Sequence, residues 1–139
     1  MDCITKKQEA YFNAAKAMSQ MSDYAQHRLG CVVVNKHKII SSGYNSRTRC
    51  HRIQAELDAK KFGEYCPGKL HAEADALIPL IKSGIDLSKA TVYVYREHKD
   101  GSTAMARPCS SCQELIKKCG IKKVLYTTEL GYAKEYIQM

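Results

Sequence analysis

The sequence predicts a mixed α/β fold in one domain, residues 1–139, on three observations. β-Prone runs alternate with segments of helical period in the order α-β-β-insert-α-β-α-β, and helices interleaved with strands pack on the faces of a sheet through right-handed crossovers. An apolar content of 45% against 26% charged residues is that of a globular chain. No repeat, low-complexity tract or Pro/Gly/Ser linker divides the 139 residues, a length suited to a single core.

Each element has a local reason. Thr5-Lys6-Lys7-Gln8 is a capping box that opens a first helix, and Tyr11, Ala14, Ala15, Met18 and Met21 fall on one face of it at helical spacing. Cys31-Val32-Val33-Val34 and the run from Lys38 to Tyr44 are β-prone and separated by Asn35-Lys36-His37, which reads as a hairpin. An insert at about 46–70 carries a basic stretch (Arg47, Arg49, Arg52), a helix expected near His51 to Phe62, and a turn at Cys66-Pro67-Gly68. Ala72 to Lys82 is expected to be helical and to end at Gly84, with Pro79 kinking or tightening its last turn. Ala90 to Tyr95 is a strand, Lys99 to Ser102 a loop, Ser110 to Cys119 a short helix stopped by Gly120, and Lys123 to Thr127 another strand. Tyr132 to Ile137 satisfies the pattern of either a helix or a strand.

Composition narrows the function. The longest notable uncharged apolar run, Ala76 to Ile81, falls far short of the ~20 residues that span a bilayer, and the first residues lack the apolar stretch of a signal peptide. A cytoplasmic protein with no membrane partner is therefore expected. Seven cysteines, an odd number at irregular spacing, argue for thiols that ligate metal or fill the core and against a disulfide framework. A net charge of +8 favours anionic partners, either nucleic acid or the phosphate of a nucleotide.

The chemistry concentrates in His71-Ala72-Glu73 and Pro108-Cys109-Ser110-Ser111-Cys112, each at an expected helix start. Cys-x-x-Cys brings two sulfurs to one ion from a helix's first turn, where the N-terminus favours thiolate. With His71 as a third ligand, a Zn2+ ion bound by Cys109 and Cys112 keeps one position open for water, the arrangement of a catalytic site. Glu73, too close to His71 to ligate easily beside it, is placed to take a proton from that water. A purely structural zinc and a dithiol redox pair are the alternatives; the redox reading leaves Glu73 without a task.

In order along the chain, Gly43-Tyr44-Asn45, His71-Ala72-Glu73, the strand from Thr91 to Tyr95 and Pro108-Cys109-x-x-Cys112 resemble the cytidine and deoxycytidylate deaminase superfamily, whose zinc nucleobase deaminases carry H-x-E…P-C-x-x-C. The resemblance implies a three-layer α/β/α cytidine-deaminase-like sandwich with a mixed five-stranded sheet. It implies His71, Cys109 and Cys112 as zinc ligands and Glu73 as proton shuttle. The backbone of Ala72 is then expected at the pyrimidine edge, and the side chain of Asn45 at the base or sugar. His71 (where nucleoside-type enzymes usually carry cysteine) and the long insert look most like the deoxycytidylate branch. The expected substrate is accordingly a small cytosine nucleotide, dCMP to dUMP with release of ammonia, with Arg47 or Arg49 at its phosphate.

Two other functions compete: a deaminase of cytidine or adenosine in single-stranded DNA or RNA, and a non-enzymatic zinc-stabilised nucleic-acid-binding module. Aromatic residues at 8%, with no Trp, give little material for a stacking platform. The sequence departs from the family in a hydrophilic 96–107 loop, expected near the pocket mouth, that leads into Ala106-Arg107-Pro108. Cys50, His51, Cys66 and His98 are candidates for a second, structural zinc, and a homo-oligomer is expected from the resemblance.

Overall fold

The first helix, α1 (Lys6–Ser19), starts where the capping box places it: the Thr5 side chain accepts from the Gln8 N–H at 3.1 Å and the Gln8 side chain accepts from the Thr5 N–H at 2.9 Å. The structure, a computed structural model, describes residues 4–24, 27–62 and 70–137. The buried face of α1 is Phe12, Ala15 and Ser19, flanked by Tyr11, Ala14 and Met18. Met21 lies beyond the helix and is 60% exposed, so the expected apolar face is one residue too long at its end and overlooked Phe12 at its centre.

Strands β1 (Leu29–Asn35) and β2 (Lys38–Tyr44) form the expected antiparallel hairpin. Its two-residue loop holds Lys36 and His37 at φ 52° and 66°, the double left-handed geometry that matches the twist of paired strands. Helix α2 (Arg52–Phe62) follows in the insert; the expected turn at Cys66-Pro67-Gly68 lies outside the described residues. Helix α3 is shorter than expected, Ala72–Leu77, and passes into a 3-10 turn at Ile78–Leu80. Pro79 has no N–H for the carbonyl four residues back, and its ring crowds that carbonyl. Then come β3 (Thr91–Arg96), α4 (Ser110–Lys118), β4 (Lys123–Thr128) and β5 (Gly131–Tyr136). The ambiguous final segment is thus a strand, antiparallel to β4, whose ladder decides what its own pattern left open.

The sheet order is β2-β1-β3-β4-β5; β3 and β4 are parallel and the other neighbours antiparallel. Side-chain alternation sorts the strands' residues between two cores. Val32, Val34, Tyr93, Tyr95 and Leu125 meet Phe12 and Ala15 of α1 on one face. Cys31, Val33, Val92, Val94, Val124 and Tyr126 meet Ala74, Ala76, Leu77, Leu115 and Ile116 of α3 and α4 on the other. The result is the three-layer α/β/α sandwich with a mixed five-stranded sheet. No described helix is long and apolar enough to cross a membrane.

Candidate active site

Two helix starts meet on one face of the sheet. His71 is the N-cap of α3 and Cys109 the N-cap of α4, both in extended conformation, and Cys112 lies in the first turn of α4. The His71 Nδ1 is 3.3 Å from the Cys112 Sγ and 3.6 Å from the Cys109 Sγ. All three donor atoms lie within 4.8 Å of one another. Zinc bonded at about 2.0 Å to nitrogen and 2.3 Å to sulfur sets tetrahedral ligands about 3.5–3.8 Å apart, so this donor set fits the ion in both chemistry and spacing.

The sequence places α3 accurately. Gly43 in β2 passes so close to it that a Cβ there would stand 2.6 Å from the Ala72 carbonyl oxygen and 2.6 Å from the Ala76 nitrogen. Asp75 ties the same helix to β2, accepting from the Tyr44 N–H at 3.1 Å. From the insert, the buried Gln54 of α2 accepts the His71 N–H at 2.7 Å and donates to Asp58 at 3.2 Å. Gln54 thus orients the histidine's backbone. Sequence reading overlooked it, since a glutamine in a helix of weak amphipathic pattern carries no local mark of that contact.

A cavity of about 340 Å3 opens over these groups, within the size range of small-ligand sites. Ala72 and Glu73 lie on its buried side, with His71, Cys109, Asn45, Ser46, Leu29 and Leu70 around them. Glu73 is 4% exposed, and burial raises its carboxyl above the ordinary range against the opposing charge of His71. The Cys109 sulfur is brought down to about 4, foremost by the hydrogen bond from Cys112, while that same bond and burial push Cys112 up. His71 rises to about 9, chiefly through its hydrogen bond to Cys109. The arrangement thus favours the thiolate of Cys109 beside His71, and burial favours the protonated form of the Glu73 carboxyl.

The description of the cytidine and deoxycytidylate deaminase zinc-binding region matches residues 5–128. The chain belongs to that family. It is 32% identical over 132 residues to the deoxycytidylate deaminase of Mycobacterium phage D29, covering 87% of this chain and 94% of the relative. The deoxycytidylate deaminase of Schizosaccharomyces pombe is 28% identical over 86% of this chain, but this chain spans only 37% of that longer protein. Among solved structures, the apo dCMP deaminase of cyanophage S-TIM5 superposes with a TM-score of 0.62 at 25% identity, over 91% of this chain and 86% of the other. As a family member the chain is a zinc-dependent deaminase of cytosine nucleosides or nucleotides.

The other expected contacts are placed less simply. Asn45 lines the cavity, but its Oδ1 accepts from the Leu29 N–H at 2.9 Å and its Nδ2 donates to the His27 carbonyl. Its amide therefore shapes the wall between β1 and β2. Arg49 is not among the lining residues: its fork grips Asp75 at 3.2 and 3.3 Å, donates to the Tyr44 carbonyl and stacks on the Tyr44 ring. Arg47 is exposed and outside the lining, with its guanidinium 5.3 Å from the ring centre of Tyr24, which does line it. The arginines that line the cavity are Arg96 and Arg107. A signal for Arg96 was present: it ends β3, and ligands of such sheets collect beyond the carboxyl ends of parallel strands.

The described second-zinc candidates, Cys50, His51 and His98, form no group of metal donors with one another. Among the described residues, only His71, Cys109 and Cys112 form a group of three metal donors. His98 pairs with Glu129 at 2.7 Å, the His51 Nδ1 caps the Ile53 N–H at 3.1 Å, and Cys50 is exposed. Cys66 lies outside the described residues.

Proposed function

We propose that the chain catalyses hydrolytic deamination of a cytosine nucleotide, dCMP to dUMP with release of ammonia. The observation that carries this reading is the buried Glu73 beside His71 and Cys109 on the cavity lining, with the Cys112 sulfur grouped with theirs as a third donor. Support for the substrate comes from relatives named as deoxycytidylate and dCMP deaminases.

His71, Cys109 and Cys112 would hold zinc, a Lewis acid that makes water nucleophilic at neutral pH. Glu73 does the proton work. Its carboxylate takes a proton from the attacking water and returns it to the pyrimidine N3, which makes C4 electrophilic. It then carries the second water proton to the departing amino group, so that the C4–N bond breaks as ammonia leaves and C4 keeps the water's oxygen. The burial that raises its pKa suits a group that must hold as well as release a proton. The Ala72 backbone, fully buried at the cavity wall, is the proposed partner of the pyrimidine edge. The Asn45 wall is the proposed boundary on the sugar side.

A cytoplasmic homo-oligomer is part of the same proposal, tested by sedimentation of the zinc-loaded protein. Ammonia release from cytosine, deoxycytidine, dCMP, dCTP and single-stranded DNA, assayed side by side, tests the substrate. The expected order puts dCMP first; preference for single-stranded DNA overturns the reading.

A further inference from the structure

The phosphate of a nucleotide needs a cation at the cavity, and the two arginines expected to supply it from the insert do not line it. Arg49 is neutralised by Asp75. Of the two that do line the cavity, Arg107 is spent on Glu135, its Nε and Nη2 each 2.8 Å from a different carboxylate oxygen. Arg96 makes no ion pair among the described residues. Its field helps to lower Glu129, but that carboxylate is bound to His98.

Arg96 is also held in place. Its backbone N–H donates to the Thr127 hydroxyl at 3.1 Å, its Nη1 to the Met105 carbonyl at 3.3 Å, and its Nη2 meets the His27 Nδ1 at 2.7 Å. Thr127, fully buried in β4, donates in turn to the Ala104 carbonyl at 2.7 Å, while the Ala106 N–H reaches the Thr127 carbonyl at 2.9 Å. The 96–107 loop, the segment that departs from the family pattern, is thereby folded back so that its two ends, Arg96 and Met105 to Arg107, stand on the cavity together. A guanidinium has five N–H donors. The contacts with Met105 and His27 use one on each Nη, and the Nε–H is buried without an acceptor. A fixed positive charge with no carboxylate facing it is poorly explained as a packing device, because a neutral amide or an aliphatic chain would fill that place without the cost of desolvating a charge. Preorganised, unpaired and planar, it suits the paired oxygens of a phosphate.

We infer that Arg96, steadied by His27, takes the 5′-phosphate of the cytosine nucleotide and sets the preference for nucleotide over nucleoside. This rests on the deaminase reading above. Wild-type protein, Arg96→Gln, Arg96→Lys and Arg47→Gln, each zinc-loaded and matched by circular dichroism and melting temperature, are compared on dCMP and deoxycytidine. Calorimetric binding of dUMP and deoxyuridine to the same four proteins gives a readout independent of turnover. The expected result for Arg96→Gln is a fall of roughly 10–100-fold in the ratio of kcat/KM for dCMP to that for deoxycytidine, the scale of a lost charge-assisted contact. Arg96→Lys retains charge without the fork and falls between; Arg47→Gln shifts the ratio less than either. An equal loss on both substrates assigns Arg96 to the scaffold and overturns the inference, as does an unchanged ratio. Wild-type inactivity on both substrates sinks the deaminase reading instead. In that event the dUMP and deoxyuridine affinities still decide the arginine: a loss confined to dUMP supports it, parallel or absent losses overturn it.

Discussion

Helices start differently at two places in this molecule. Helix α1 satisfies its first N–H groups with its own Thr5 and Gln8 side chains. Helices α3 and α4 begin with His71 and Cys109, and neither makes a side-chain cap hydrogen bond. The usual cap residues are worth about 1 kcal/mol each, so both site helices forgo a local stabilisation that the scaffold helix keeps. What replaces it is tertiary: Gly43 and Asp75 fix α3 against β2, and Gln54 fixes the histidine's backbone. Places where local rules fail while long-range contacts compensate are where function is to be sought.

The largest break in that contrast comes from Glu73→Gln. It is expected to lower kcat about 10^2–10^4-fold, the usual range for a general acid–base group, while the melting temperature and bound zinc stay near wild type; retained turnover would remove Glu73 from the mechanism. Cys112→Ala is next. It should abolish stoichiometric zinc in metal analysis and activity with it, and lower the melting temperature, because metal bound only by the folded state stabilises that state. A metal-stripped wild-type sample melting at the same temperature as the loaded one would show that the site helices do not depend on the ion. Gly43→Ala should cost about 1–3 kcal/mol in urea unfolding, the range for forcing extra atoms into a packed interior; a smaller loss would mean that β2 and α3 separate easily.

The contrast also explains what could be read in advance. A capping box, a hairpin alternation and a Cys-x-x-Cys are local patterns, so α1, β1, β2 and the zinc donors were legible. Asp75 with Arg49, Gln54 with His71 and Arg96 with His27 join segments distant in the chain, and nothing in either segment announces its partner. The insert arginines were read as phosphate ligands because they follow Asn45, and the carboxylate facing one of them across the fold could not be seen. Strand β5 became decidable only once β4 offered it a ladder.

Smaller effects refine the scaffold side. Thr5→Ala is expected to lower stability by about 1 kcal/mol in urea unfolding, with kcat/KM unaffected because α1 packs on the face opposite α3 and α4. Glu135 is held below its ordinary value of 4.5 chiefly by its hydrogen bonds to Arg107. A depressed carboxyl contributes stability above its unfolded value and loses it as pH falls through the lower folded one. Wild type should therefore lose stability between roughly pH 5 and the folded value, and Glu135→Gln should lose less over that window in acid-unfolding curves. The partly exposed pair limits the difference to about 1 kcal/mol or less.

The connection between β1 and β2 keeps Lys36 and His37, two residues with side chains, in a backbone region where Asn and Gly are at ease. It lies at the end of β1 away from Leu29, which lines the cavity. An Asn-Gly pair at these positions would relieve torsional strain remote from catalysis, offering a route to a hardier enzyme whose chemistry is untouched.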